Sequence, residues 1–143
     1  MNGVTYYYET ASLLNNFALN LYKQDPANKP QALRFLEQAR TMVRDNHFEQ
    51  APICEAGALC NIGLIHEYEN EDDTALNYYF QALAIDTNIK GDKLGEIELN
   101  RYIARIYKKK GNNKLSAVHL KRADHLADPF HKMIDTNYDS TKP

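Results

Sequence analysis

Residues 61–86 read NIGLIHEYENEDDTALNYYFQALAID, and the reading of this run decides the fold. Its apolar residues do not alternate with polar ones, as a half-buried strand would require. Instead a large–small pair, Ile62-Gly63, is followed by a ring at His66, a corner at Asn70 or Glu71, and then Ala75, Tyr79 and Ala82. Small residues at Gly63, Ala75 and Ala82 let two helices cross closely, and the large ring fills the space beside the crossing. A helix–corner–helix hairpin follows.

The pattern recurs on both sides. Ala32-x3-Leu36-x2-Ala39, Ala75-x3-Tyr79-x2-Ala82 and Ser116-x3-Leu120-x2-Ala123 fall on second helices, with Ala39, Ala82 and Ala123 spaced by 43 and 41 residues. The helices before them carry Ala18-Leu19-x2-Tyr22, Ile62-Gly63-x2-His66 and Ile103-Ala104-x2-Tyr107. Six helices are therefore predicted, over about Thr5–Lys23, Pro30–Arg44, Glu49–Glu69, Asp72–Ile89, Asp92–Lys110 and Asn113–Ala127. The prolines of Asp25-Pro26-Ala27-Asn28-Lys29-Pro30 break the chain after the first helix, and Pro30 suits the first turn of the second. Gly111 ends the fifth helix behind three lysines, which suit the negative end of the helix dipole. One such hairpin cannot bury its apolar face alone, so the three units, about 10–45, 50–89 and 92–127, are expected to stack. Asp128 and Pro129 read as an N-cap and first helical residue of a short capping helix over 128–138, with Phe130, Met133, Ile134 and Tyr138 on one stripe. Residues 139–143 read as a disordered tail.

The run Asn61-Ile62-Gly63-x2-His66-x3-Asn70-x4-Ala75-x3-Tyr79-x2-Ala82-x3-Asp86 resembles a tetratricopeptide repeat, and Ile103 to Ala123 repeats it with the turn glycine in place. The departures are His66 for the usual Tyr, Thr87 where a Pro commonly follows, and no Trp anywhere. The period of about 42 residues, rather than about 34, is similar to the longer repeats of kinesin light chains and bacterial peptide-sensing regulators. The resemblance covers about residues 10–127. It implies an all-α fold, a right-handed superhelical array of three antiparallel hairpins, in which the first helix of each hairpin lines a groove. The groove residues it implies are Asn16 and Asn20 in unit one, Cys60 and Leu64 in unit two, and Arg101 and Arg105 in unit three. Asn61 borders them, and Lys23, Glu67 and Lys108 extend the stripes. Asparagine amides can pair with a peptide backbone, and two guanidinium forks one turn apart suit a carboxylate.

Composition agrees with one globular helical domain over 1–138. The chain has 143 residues, is 43% hydrophobic and 25% charged, and carries a formal net charge of −2. That excludes wholesale disorder and general attraction to polyanions. No stretch approaches the roughly 18 apolar residues of a membrane span, and Met1-Asn2-Gly3-Val4-Thr5 lacks the features of a signal peptide. Cys54 and Cys60, six apart, form neither a redox pair nor a disulfide framework, so a reducing cytoplasmic setting is expected.

Nothing in the chain reads as catalytic. Asp86-x-Asn88-x-Lys90-Gly91 opens like a calcium loop, but Lys90 and Ile97 stand where oxygen donors are required. His119, His125 and His131 are six apart and share no helix face as a metal pair would. There is no phosphate-binding glycine loop and no nucleophile elbow. No enzyme activity, cofactor or metal is expected, and His66 reads as a packed ring.

The expected role is a scaffold or adaptor that holds a peptide or helix of a partner protein. One alternative is a self-associating subunit, a homodimer through Tyr6, Tyr7, Tyr8, Leu13 and Leu14. Another is a nucleic-acid-binding regulator working through the basic last hairpin, Lys108 to Lys110, Lys114, Lys121 and Arg122, though it lacks interleaved aromatics. No membrane partner is expected.

Overall fold

A computed structural model describes residues 3–47, 49–90 and 93–139, with side chains over 6–47, 49–90 and 93–128. The described residues are all-α: α1 (Gly3–Gln24), α2 (Lys29–Asn46), α3 (Ala51–Tyr68), α4 (Asp72–Asp86), α5 (Leu94–Lys109) and α6 (Asn113–Asp139), with one 3-10 turn at Pro26–Asn28. They contain no strand. The chain forms two compact units, Met1–Lys90 and Gly91–Pro143. The boundary falls in the linker after the second hairpin.

In the first unit α1 pairs with α2 and α3 with α4, and α3 also lies against both α1 and α2. Helix α3 carries apolar residues around most of its circumference because three helices surround it. Ala18 and Tyr22 of α1, Ala32 and Leu36 of α2, and Ile62 and Ile65 of α3 form one core cluster. A second joins Ala11, Ala39, Val43 and Cys54. Neither hairpin has a complete core without the other.

The crossing of α3 and α4 is made by the small residues. A Cβ built on Gly63 would lie 2.7 Å from the Tyr79 ring and 3.3 Å from the Ala75 carbonyl oxygen. Ala75, Tyr79 and Ala82 are completely buried. In the second unit the same positions meet: the Ser116 hydroxyl donates to the Ala104 carbonyl at 2.9 Å, and Ala104 and Ala123 are buried. Leu120 breaks the pattern. Its counterparts Leu36 and Tyr79 are buried, yet it remains 44% exposed. Within the second unit α5 and α6 cover only their facing stripes, and Leu94, Leu115 and Val118 are also exposed.

The corners after α3 and α5 are built alike. Asn70 and Gly111 both take positive φ, 60° and 79°. Around each, one N–H donates back five residues and another back three: Glu71 to His66 and Asn70 to Glu67, then Asn112 to Tyr107 and Gly111 to Lys108. This is the 6→1, 5→2 pattern of a Schellman cap, which needs a left-handed residue. The Asn112 side chain then accepts from the Leu115 N–H and opens α6.

Two sequence expectations are corrected. Helix α1 begins at Gly3 rather than near Thr5. More importantly, α6 is one helix of 27 residues, Asn113–Asp139, rather than a helix to Ala127 followed by a separate capping helix. Asp128 therefore caps no new helix. A proline at 129 has no backbone N–H to donate, and the helix continues through that position. The stripe of Phe130, Met133, Ile134 and Tyr138 lies outside the described side chains. Gly91 and Asp92, and the tail after Asp139, lie outside the described residues.

Two glycines of α3 should respond oppositely to alanine. Alanine is worth about 1 kcal/mol over glycine in a helix. Gly57→Ala should realise most of that gain, because its Cβ would meet only the Asn15 amide at 3.6 Å. Gly63→Ala must displace a fully buried ring, an overpacking cost of about 1–3 kcal/mol, so it should lower the melting temperature. Ala104→Leu should cost a similar ~1–3 kcal/mol in the second unit. Thermal melts check all three, and an unchanged Ala104→Leu melt would contradict the crossing.

Candidate functional site

Helices α1 and α3 run side by side in the same direction. Ser12 lies 3.8 Å from the Cys54 sulfur near their starts. Asn61 Nδ2 donates to the Asn15 carbonyl at 3.2 Å in the middle. Tyr22 and Tyr68 stack at 6.0 Å near their ends. A polar seam thus joins two otherwise apolar helices. Within it the Asn15 amide donates to the Cys54 carbonyl at 3.2 Å, while its Oδ1 is sealed from solvent without a partner.

Helix α1 also carries an exposed face. Asn16 and Asn20 are exposed on α1, and neither side chain has a partner among the described residues. Asn61 and Leu64 of α3 are half-buried. Positions 16 and 20 lie one turn apart, opposite the buried row Ala11, Asn15, Ala18 and Tyr22. Leu13, 68% exposed, falls on the same side. Asn16, Asn20, Asn61 and Leu64 thus all belong to the first unit, and the backbone contact between α1 and α3 brings their helices together.

Arg101, Arg105 and Lys108 are exposed on α5 in the second unit. Arg101 has no ion pair among the described residues. The Arg105 guanidinium rests 4.8 Å from the centre of the Tyr102 ring, an arrangement worth about 0.5–1 kcal/mol at an exposed site. The two forks are thus unequal: one rests on a ring, the other extends into solvent.

The acidic corner of the first unit is largely engaged. Glu67 accepts from the Tyr79 hydroxyl at 2.5 Å, and Glu69 accepts from Tyr22 at 2.6 Å. Glu71 takes Lys29 at 3.0 Å and also contacts the His66 Nδ1. The hydrogen bonds from His66 and then Lys29 hold the Glu71 carboxyl below the usual glutamate range. These acids tie α1, α2 and α4 to the corner after α3 rather than presenting an open anionic surface.

The basic last hairpin has a similar internal use. Arg122 reaches across to Glu96 at 3.1 Å, and Lys93 adds a contact at 3.2 Å. Glu96 is 2% exposed, so the carboxylate is buried and paired.

One relation escaped the sequence reading. His66 stacks on Tyr78 with ring centres 5.5 Å apart, and Tyr107 stacks on His119 at 5.8 Å. The two pairs are the same two positions, each shifted by 41 residues, with histidine and tyrosine exchanged. His119 Nδ1 lies 2.8 Å from Asn100 Oδ1. As the Asn100 amide donates to the Glu96 carbonyl, its Oδ1 is the acceptor and His119 the donor. Burial holds the His119 imidazole below the ordinary histidine range. A search for paired aromatic positions at the repeat offset would have found this.

Tyr22 gives a pH signature. Burial first, then the hydrogen bond to Glu69, pushes its hydroxyl from 10.0 up to about 12. The folded state keeps a proton that the unfolded state releases, so this stabilisation is complete below pH 10.0 and is lost as pH approaches about 12. Tyrosinate absorbance should show a late phase near pH 12, and Tyr22→Phe should reduce it by one tyrosine. A titration unaltered by Tyr22→Phe would contradict the assignment.

Among the described residues no helix is long and apolar enough to cross a membrane, and no three metal-ligating side chains come together. No protein-family model matches the chain, and neither does any curated protein or solved structure.

Proposed function

We propose that this chain is a helical-repeat scaffold of the tetratricopeptide kind, a cytoplasmic adaptor or regulator that holds an extended peptide or helix of a partner protein. The reading is supported by one observation: α1 and α3 lie side by side, Asn16 and Asn20 of α1 are exposed and unpartnered among the described residues, and Asn61 and Leu64 of α3 are half-buried. An amide offers both a donor and an acceptor, which suits the alternating groups of a peptide backbone. Further support comes from the matching crossings at Gly63 and Ala104 and from the matching caps at Asn70 and Gly111.

Arg101, Arg105 and Lys108 contribute the anion-binding part of the same reading, with Arg101 the stronger contributor because its guanidinium has no ring to leave. A self-associating subunit is the second reading, favoured by the exposure of Tyr6 (59%), Leu13 (68%) and Phe17 (54%) on α1. Light scattering separates the two, since self-association gives a concentration-dependent mass without any added protein.

A peptide array probed with the labelled full chain tests the first. A subset of peptides should bind. For those, Asn16→Ala and Asn61→Ala should each weaken binding about 3- to 10-fold, the effect of one neutral hydrogen bond. Arg101→Ala should cost acidic peptides about 1.5–3 kcal/mol if the contact is desolvated, and Arg101→Lys should not restore it fully. An array with no bound peptide would overturn the proposal.

A further inference from the structure

The exposed face of the first unit ends in a shallow cleft of about 330 Å³, lined by Tyr22, Lys23, Pro26 and Tyr68. Lys23 follows Asn20 by three residues on α1, and Tyr68 follows Leu64 by four on α3, so the cleft continues the two stripes by one helical turn. We infer that it is a specificity pocket for a proline followed or preceded by an acidic residue in an extended peptide. The inference rests on the peptide-binding reading and names the sequence that the face selects.

The lining dictates this occupant. Tyr22 and Tyr68 lie nearly parallel, 18° apart with centres at 6.0 Å, and Tyr68 is 52% exposed. Pro26, held in the 3-10 turn whose N-cap Asp25 accepts from the Ala27 N–H, forms another apolar wall. The Tyr22 hydroxyl is committed to Glu69, so the inner ring presents carbon rather than a polar group.

Charge narrows the choice. Lys23 lines the cleft and has no ion pair among the described residues. The neighbouring Lys29 is already held by Glu71 at 3.0 Å. A cationic side chain over the Tyr68 face would gain from the ring quadrupole but would meet the Lys23 charge, so cations are disfavoured. Glu69 holds a negative charge at the Tyr22 hydroxyl, so an anion is favoured only where it reaches the Lys23 ammonium. Proline also brings no backbone N–H into a cleft whose Lys23 is donor-only, so it leaves no unpaired donor there. A proline-containing segment is already near the polyproline II conformation and loses little entropy when it docks on an aromatic wall. At about 3.1 Å per residue, adjacent side chains can reach the ring and the ammonium together.

A fluorescein-labelled peptide of alanine and serine with a central proline–glutamate pair is the probe, titrated into the full chain by anisotropy. Saturable binding is expected. Tyr68→Ala and Lys23→Glu should each weaken it about tenfold or more, with circular dichroism confirming that both variants fold. Lys23→Glu should instead prefer the probe in which lysine replaces glutamate, a charge exchange that a merely structural role would not produce. Replacing the probe's proline by alanine should also weaken binding. If array peptides bind through Asn16 and Asn61 while Tyr68→Ala and Lys23→Glu leave every affinity unchanged, the pocket is wrong and the peptide-binding reading stands. If no array peptide binds, both fall together.

Discussion

The first unit depends on a crossing with no room for another carbon atom. Where α3 meets α4, the backbone of Gly63 faces the Ala75 carbonyl and the flat of the Tyr79 ring. That approach buries Tyr79 completely and carries its hydroxyl to Glu67. It sets the angle of α4, and through Ile62 and Ile65 it sets how α3 presents its other side to α1 and α2. Close packing of this kind is unforgiving of volume change. In the second unit a softer version serves: Ala104 replaces glycine, Ser116 replaces alanine, and a hydroxyl-to-carbonyl bond replaces part of the van der Waals contact.

The polar seam between α1 and α3 has a different purpose from the apolar core. Apolar surfaces attract without direction, whereas the Asn61–Asn15 and Asn15–Cys54 bonds exist at one register only. An unpaired buried acceptor such as Asn15 Oδ1 costs about 1–3 kcal/mol. The first unit tolerates that cost beside its apolar core, and the seam keeps the two helices from sliding by a turn.

Much of this was legible in the sequence because it is local or periodic. The hairpins, the corners at Asn70 and Gly111, and the buried small residues all follow from spacing within one repeat. What escaped was either long-range or ambiguous in its signal. Tyr22 read as a core ring, and nothing local to it announces that Tyr68, 46 residues on, will stack against it to wall a cleft. Glu67, Glu69 and Glu71 sit within one corner of the chain, but their partners Tyr79, Tyr22 and Lys29 are supplied by three other helices. Asp128-Pro129 is a fair helix start by itself, and α6 simply continues through it. Arg101 and Arg105 looked equivalent in spacing, yet Tyr102 beside them distinguishes the two.

The Cys54 thiol gives the first unit an internal clock. It is 5% exposed in the α1–α3–α2 cluster, and burial pushes its ionisation up, with the Ser12 contact opposing weakly. A thiol that is both covered and protonated reacts with an alkylating reagent only when α1 lifts away. Cys60, on the same helix and half-buried, provides the comparison on a more open part of the surface. The ratio of the two modification rates therefore measures how often the first hairpin opens, without any label added to the chain.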